Sequence, residues 1–227
     1  MIPSPATLKT KTKASYGQKL GPAADEYLDA LFKAVCDGWQ SWQDSIKFGG
    51  LKASGGGVGA WSGSGTGGSM TGSTYNMPTF SFKANSPQQI KFTKGLASAL
   101  TQKFTPYPSS FKFGAVPFLG TSGASPSSSG PVNAINTPTP LSAVGSGSNP
   151  SGIASIWKST LTPPDFDLGN PQCKSGTFID AIASAIEQSF QATWLTTTMI
   201  TGNSLKTTGK PGGAVAGAST GSDGKLA

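Results

Sequence analysis

Apolar residues recur at helical spacing in the stretch 23–46. Pro22 stands at the entrance of this stretch, and Asp25, Glu26 and Asp29 fall in its early turns, where carboxylates favour the positive end of the helix dipole. Steps of three and four residues place the apolar side chains in one stripe, which predicts an amphipathic helix. The stripe consists of Leu28, Leu31, Phe32, Val35, Trp39, Trp42 and Ile46.

Two further long helices and one short helix are predicted by the same spacing. The stretch 86–104 begins with Ser86 as a candidate cap and Pro87 at the first helical position. The stretch 175–194 is entered through Ser175 or Thr177. The segment SGIASIWKST, residues 151–160, predicts the short helix.

The three long stretches align with one another without a gap. The first matches the second at an offset of 65 residues, and the second matches the third at an offset of 86 residues. At four-residue steps the order is aromatic, aliphatic, aliphatic, aromatic in each copy, which predicts an internal repeat. The equivalent residues are Tyr27, Leu31, Val35 and Trp39; Phe92, Leu96, Leu100 and Phe104; and Phe178, Ile182, Ile186 and Phe190.

A β-like run follows each predicted helix. The sequence SIKFGG at 45–50 matches SFKFGA at 110–115, and the third copy continues with the threonine-rich WLTTTMIT. We therefore predict strands near 45–53, 110–119 and 194–201, with a further candidate strand in TYNMPTFSFKA, residues 74–84. The predicted fold class is α+β, with three pseudo-repeated units of amphipathic helix plus β-strand, joined by Gly/Ser/Pro-rich extended segments.

Composition predicts how these units are joined. The chain has 31 glycines and 17 prolines among 227 residues, and only 12% of its residues are charged. Loops and extended arms must therefore alternate with ordered elements. We predict an extended N-terminal arm at 1–22, a single α+β domain at 23–201 with repeats at about 23–75, 86–135 and 174–201, a Gly/Ser/Pro-rich connector at 120–152, and an extended C-terminal tail at 202–227.

The basic residues limit the possible partners and chemistry. All 17 are lysine, and the chain contains no arginine and no histidine. Arginine is the residue that reads guanine bidentately, and histidine is the commonest general base near neutral pH. We therefore expect no sequence-specific nucleic-acid binding and no His-dependent catalysis. The simpler interpretation is that the lysines are solvated on the protein surface. Because the net charge is +7, diffuse attraction to an anionic surface is the alternative.

Acidic residues offer few candidates for a catalytic or metal site. Asp165 and Asp167 lie two apart in a proline-bounded loop and could contribute to a Ca²⁺ or Mg²⁺ site, although a turn with solvated carboxylates is the simpler interpretation. Five more carboxylates lie between Asp25 and Asp44. Glycosidase chemistry needs two carboxylates that face each other across a cleft, and the sequence indicates no such pair. The glycine runs lack the Gly-Lys-Ser/Thr ending of a phosphate-binding loop. We predict no enzyme, no cofactor, and no catalytic, cofactor-binding or metal-ligating residue.

Tryptophans and cysteines each allow two interpretations. Trp39 and Trp42 lie on the helix stripe and Trp61 lies in a glycine run, so all three are predicted structural anchors, with an exposed carbohydrate-stacking platform as the alternative. Cys36 and Cys173 lack metal-ligand spacing. Cys36 lies on a predicted helix and is predicted to be a small buried or boundary residue, and a disulfide to Cys173 is the alternative in an oxidising compartment.

Targeting and membrane segments are not predicted. The N-terminal sequence lacks the apolar core of a secretory signal, and no apolar run approaches the length of a membrane-spanning helix. We therefore expect no membrane insertion.

Three features define the layout of the chain: the arm TLKTKTKASYGQKLGP, the unit of helix followed by SIKFGG, and the low-complexity stretch at 120–152. In these features the layout resembles that of virion structural proteins of tailed bacteriophages, in particular neck, tail or baseplate components. It implies a non-enzymatic assembly subunit, located in the virion after assembly in the host cytoplasm. Its extended arms would bind neighbouring structural subunits in a symmetric oligomer. A secreted or surface binding protein, possibly carbohydrate-binding, and a tail-associated hydrolase are the alternatives.

Overall fold

The structure is a computed structural model in which part of the chain is described. The backbone is described for residues 3–56, 60–80, 86–106, 116–121, 152–163, 166, 168, 174–197, 200–201, 206–208, 214–218 and 225–226. Side chains are described for residues 3–46, 72–80, 86–106, 152–163, 166, 168 and 174–190.

Five helices lie in the described residues, and four of them were predicted. They are α1 (Pro5–Tyr16), α2 (Pro22–Ser45), α3 (Pro87–Phe104), α4 (Ile153–Ser159) and α5 (Ser175–Thr197). The predicted start of α3 is confirmed, because the Ser86 hydroxyl accepts from the Gln89 amide while the Gln89 side chain accepts from the Ser86 amide. This reciprocal capping satisfies two donors that a helix start leaves without partners.

Antiparallel strands form two sheets in the described backbone. The strands are β1 (Lys47–Gly56), β2 (Ala60–Thr71), β3 (Val116–Thr121), β4 (Ile200–Thr201), β5 (Lys206–Thr208), β6 (Ala214–Ala218) and β7 (Lys225–Leu226). The larger sheet has the order β3-β2-β1-β6-β5, and β4 pairs with β7 in the smaller one. In the longest pairing, Lys47 of β1 lies opposite Thr71 of β2 and Gly56 lies opposite Ser62.

The chain divides into two compact units that alternate along the sequence. Unit 1 comprises Met1–Trp42, Thr74–Tyr107 and Thr139–Thr193, and unit 2 comprises Gln43–Ser73, Pro108–Pro138 and Trp194–Ala227. Each segment of unit 1 that contains a long helix is therefore followed in sequence by a segment of unit 2.

Unit 1 is a bundle in which α2, α3 and α5 run parallel to one another. Near the helix starts, the Phe92 ring lies 6.4 Å from that of Tyr27 and 6.2 Å from that of Phe178. Toward the opposite ends, the Trp39 ring lies 4.6 Å from Phe104 and 4.3 Å from Phe190. Because early residues meet early residues and late residues meet late ones, the three helices point the same way.

The residues that the sequence offsets make equivalent lie at corresponding levels of this bundle. Tyr27, Phe92 and Phe178 form its first level, and Trp39, Phe104 and Phe190 form its last. The aliphatic residues between them are fully buried: Leu31, Leu96, Ile182, Val35, Leu100 and Ile186. The bundle therefore has an approximate threefold arrangement of one helix type.

A covering segment precedes each long helix and runs back along the bundle in the opposite direction. We call residues 3–16, 74–80 and 152–161 the covering segments. In the first, Lys9 forms a salt bridge with Asp29 of α2. Lys13, which comes later in the covering segment, forms one with Asp25, which comes earlier in α2. In the third, Ile153 meets Glu187 and Lys158 meets the earlier Asp180 of α5.

The second covering segment has no helix but takes the same direction. The Tyr75 carbonyl accepts from the Thr101 hydroxyl, near the end of α3, and the Tyr75 hydroxyl donates to the Val35 carbonyl of α2. Phe80, at the far end of this segment, lies against Tyr27, near the start of α2. Each unit of the bundle is therefore a covering segment followed by a parallel helix.

The prediction of an α+β fold built from three helix-plus-strand units is wrong. The residues with described side chains are 73% helical, and none of them lies in a strand. Unit 1 packs helix on helix through aromatic and aliphatic side chains, so no strand is needed to cover its core. The element that accompanies each helix in unit 1 is the covering segment that precedes it.

Two local predictions also differ from the structure. Residues 194–197 continue α5, since each added helical residue gains a hydrogen bond and the strand preference of threonine is weak. Residues 74–80 form a covering segment without strand pairing. The strands predicted at 45–53 and 110–119 overlap β1 and β3. The single domain at 23–201 stays a prediction, and residues of this range belong to both units.

The predicted extended arm at 1–22 contains helix α1. Ser4 accepts from the Thr7 amide, Pro5 occupies the first turn, and Gly17 ends the helix with φ +65°. Leu8 and Thr12 are fully buried, and Lys9 and Lys13 form salt bridges with α2. The helix forms because its neighbour supplies an apolar contact and carboxylates that a local sequence pattern does not reveal.

Gly95 allows α4 to approach α3 closely. A Cβ atom at this position would lie 2.5 Å from the Thr160 Oγ1 and 2.8 Å from the Trp157 Cδ1. Trp157 is fully buried, and its indole N–H donates to the Phe92 carbonyl at 2.9 Å. The absence of a side chain at residue 95 is therefore what lets Trp157 reach the helix backbone.

We expect Gly95→Ala to lower the free energy of unfolding by about 1 to 3 kcal/mol, because the overlap outweighs the higher helix propensity of alanine. The matched control is Gly176→Ala in α5, where no atom lies within 4 Å of the added Cβ. Urea unfolding followed by tryptophan fluorescence measures both variants. Equal stability of the two would contradict the close approach of α4.

Candidate interaction site at the N-terminal end of the bundle

A cavity of about 270 Å³ opens where the three parallel helices begin. Its floor is the first aromatic level, Tyr27, Phe92 and Phe178, and Phe166 closes one side. Its rim includes Ala24, Gln89 and Ser175, which the sequence offsets again make equivalent. The cavity therefore lies on the approximate threefold axis of unit 1.

The rim of this cavity is formed by first-turn residues of all three helices. Amide groups in a first turn have no partner within their helix, and the aligned peptide dipoles make this end partially positive. The first turns of α3 and α5 contain no acidic residue. Asp25 in the first turn of α2 is paired with Lys13, whose hydrogen bond is the main reason that the pKa of this carboxyl is lowered.

Tyr27 separates this cavity from a second one of about 150 Å³. Its hydroxyl is in hydrogen-bond contact with the Thr93 hydroxyl at 2.9 Å. Burial raises the pKa of Tyr27 to about 12, in spite of this hydrogen bond, so the phenol is neutral at physiological pH. The second cavity is lined by Phe80, Ile90 and Lys94 among others, and Ile90 is 43% exposed. The two cavities give this end of the bundle an apolar, aromatic surface.

Three equivalent residues, which we call the anchor residues, hold the covering segments in place. The Cys36 thiol donates to the Pro3 carbonyl at 3.1 Å, and the Thr101 hydroxyl donates to the Tyr75 carbonyl at 2.9 Å. The Glu187 carboxylate accepts from the Ile153 amide at 2.6 Å. The chemistry of the bond differs in each copy, but its place in the unit does not.

Equivalent positions also correspond on the outer surface of the long helices. Gln102 donates to Ser98 at 3.2 Å, and Gln188 donates to Ser184 at 2.9 Å. The same two positions of α2 are Lys33 and Asp37, which form a salt bridge. Such pairs stabilise a helix by only about 0.2 to 0.5 kcal/mol, so they matter more as repeated surface features than as a source of stability.

Several carboxylates have structural partners in the described part of the chain. Asp25, Asp29 and Asp37 are paired with lysines, and Glu187 holds a covering segment. Asp165 and Asp167 lie outside the described residues. In the described part of the chain, no group of three His, Cys, Asp or Glu residues is placed to hold a metal ion.

The structural interpretation of two tryptophans is confirmed. Trp39 is fully buried, Trp42 is 2% exposed, and their rings pack at 4.9 Å. Neither can offer a face to a sugar, so the carbohydrate platform is wrong for this pair. The side chain of Trp61 lies outside the described residues.

Cys36 is a free thiol on α2 and is buried, which confirms the buried form of the prediction. Burial, and then the charge of Asp37, raises the pKa of Cys36 to about 11. Cys173 lies outside the described residues.

None of the helices in the described part of the chain is long and apolar enough to cross a membrane. This agrees with the expectation of no membrane insertion through a helix.

Sequence analysis missed the cavity and the anchor residues. The offsets that aligned the apolar stripe also relate Ala24 to Gln89 and Ser175, and Cys36 to Thr101 and Glu187. These residues differ in chemistry, so the alignment alone gave no reason to choose them. The Ser4-Pro5 pair, which begins α1 as Ser86-Pro87 begins α3, was the available signal for the missed helix.

No protein-family model, curated protein or solved structure matches this chain.

Alkaline pH is expected to destabilise the protein through three buried groups. The pKa of Cys36 is raised to about 11 and that of Tyr27 to about 12, and burial also raises the pKa of Tyr75. The folded state therefore keeps protons that the unfolded state releases near the ordinary pKa values of 9.0 for the thiol and 10.0 for the phenols. Their stabilising effect is complete below about pH 9 and is lost as the pH rises toward 12.

The free energy of unfolding should fall by up to about 1.4 kcal/mol per pH unit for each group that titrates only in the unfolded state. Tyr27→Phe should make this decline shallower above pH 10. The difference in stability between the variant and the original protein at pH 7 measures the effect of the substitution on packing alone. Urea unfolding at a series of pH values measures the decline. An identical slope in the variant and the original protein would contradict the assignment to Tyr27.

Proposed function

We propose that this protein is a non-enzymatic structural subunit of a tailed-bacteriophage virion, in the neck, tail or baseplate. The observation that carries the proposal is the threefold repetition of one unit, a covering segment followed by a parallel helix, within a single chain. Equivalent side-chain pairs recur on the outside of the bundle as well as in its core. One chain thus presents similar surfaces in three directions, which suits a position surrounded by symmetric neighbours.

The alternation of the two units supports the same proposal. The ends of α2, α3 and α5 lie at one end of the bundle, and each is followed in sequence by a segment of unit 2. These segments are rich in small residues: Gly55 pairs with Gly63 and Ser54 pairs with Ser64 across β1 and β2. Strands of this composition bury little apolar surface, and the outer edges of β3 and β5 offer backbone groups for strand addition. Stabilisation by neighbouring chains in the virion would compensate for this.

Native mass spectrometry of the protein purified from its source tests the proposal. We expect a species containing several copies, or this chain with other structural subunits, and cross-links from the outer face of the bundle to those subunits. A 23.0 kDa monomer, both alone and after mixing with virion components, would contradict the proposal.

Matched variants test whether the repeated surfaces act as equivalent contacts. Gln102→Lys and Gln188→Lys make the same change at equivalent exposed positions of α3 and α5. We expect both to lower the yield of the assembled species to a similar extent, because each adds charge to a similar contact. The control is Gln18→Lys, at an exposed position between α1 and α2. An unchanged yield in both test variants would exclude these surfaces as contacts.

A further inference from the structure

Helix α1 fills the groove between α2 and α5. Two of its lysines, Lys9 and Lys13, form salt bridges with α2. At the end of the helix, the Tyr16 ring packs edge-on against Phe178 of α5, with the ring centres 5.1 Å apart. Every one of these contacts joins a side chain of α1 to a side chain of the groove.

The other two covering segments are held more firmly than α1. Tyr75 and Trp157 are fully buried, and each donates a hydrogen bond to a backbone carbonyl of the bundle. The fully buried residues of α1 are the smaller Leu8 and Thr12. The Thr12 hydroxyl has no hydrogen-bond partner among the described residues, so its burial opposes the docking of α1.

The connector from α1 to α2, residues 17–21, allows more than one path of the chain. Gly17 has a φ of +65°, and a Cβ atom added at Gly17 or at Gly21 would have no atom within 4 Å. Glycine adopts many backbone conformations at little steric cost. Helix α1 can therefore leave its own groove through a change in the connector alone.

Charge makes the groove selective for this helix. The sequence of α1 contains three lysines and no acidic residue, whereas the first turns of α2 contain Asp25, Glu26 and Asp29. Helix α1 of a second copy offers the same lysines to the same carboxylates, and two α1 helices repel each other. Exchange between copies therefore keeps each contact of the groove and changes only the connector.

We propose that the groove between α2 and α5 also accepts helix α1 of a second copy of this chain, so that two copies exchange this helix reciprocally. This inference goes beyond the proposed function and does not depend on it.

Reversal of charge tests the exchange with two purified full-length variants. The helix variant carries Lys9→Glu and Lys13→Glu, and the groove variant carries Asp25→Lys and Asp29→Lys. In either variant alone, helix and groove have like charges, both within one copy and between two copies. In a mixture, the helix of each variant meets a groove of opposite charge on the other, so only the heterodimer has favourable pairs in both grooves.

Native mass spectrometry of the equimolar mixture at low ionic strength measures the pairing. The helix variant is labelled with heavy nitrogen, so that the heterodimer and the two homodimers differ in mass. We expect the heterodimer to exceed each homodimer by at least about tenfold, because several weak charge contacts change sign together.

The matched control replaces the helix variant with one that carries Lys11→Glu and Lys19→Glu. This control has the same net charge, so it keeps any general attraction to the groove variant. Neither lysine belongs to a salt bridge in the part of the chain that the structure describes. We expect no more heterodimer than random pairing gives.

The single-bridge pair, Lys9→Glu mixed with Asp29→Lys, tests the same exchange if the double variants do not fold. It leaves the bridge between Lys13 and Asp25 in place, and its heterodimer should exceed each homodimer by about threefold. The original protein should form a dimer whose share rises with protein concentration.

Two results would overturn the proposal. One is a heterodimer no more abundant with the helix variant than with the control, and the other is an original protein that stays monomeric at every concentration. The mixtures contain no virion component, so either failure leaves the proposed function to its own test.

Discussion

The contact between Trp39, Phe104 and Phe190 is the interaction on which unit 1 depends. Three large rings from three parallel helices meet here at 4.3 to 5.5 Å, and all three are fully buried. Burying one such side chain contributes about 1.5 to 3 kcal/mol, and ring pairs in tilted or edge geometry add about 0.5 to 1.5 kcal/mol each. Because the helices are parallel, this level also fixes their register, and it thereby brings the three helix starts to one end.

Parallel packing imposes a constraint that the covering segments satisfy. The chain must return from the end of one long helix to the start of the next, and three parallel helices leave grooves along their sides. Each covering segment, including the one before the first long helix, lies antiparallel to its neighbours and contributes a buried residue, namely Leu8, Tyr75 or Trp157. The anchor residues Cys36, Thr101 and Glu187 then bond a backbone group of the segment. All three covering segments are therefore held at the same position of the unit, although by different side chains.

The two ends of this bundle differ in character. The end where the helices finish precedes the small-residue segments of unit 2 in the sequence, which supports a subunit stabilised by its neighbours. The end where the helices begin carries a cavity lined by aromatic rings. A single threefold arrangement thus accounts both for the repeated outer surfaces and for the cavity on the axis.

The sequence by itself determined the long helices and the equivalence of their buried positions. Helical periodicity and the Ser-Pro start depend on neighbours within one or two turns, so Tyr27, Phe92 and Phe178 could be aligned before their contact was known. Tertiary structure decided how the chain returns between the helices. Helix α1 has Leu8 as its only large aliphatic residue, and its pairing with Asp25 and Asp29 involves residues that no local pattern connects to it. Residues 194–197 were assigned to a strand from composition, yet they continue α5. Strand preference is a weak local tendency, whereas direction, close approach at Gly95 and the position of the cavity depend on contacts between residues far apart in the chain.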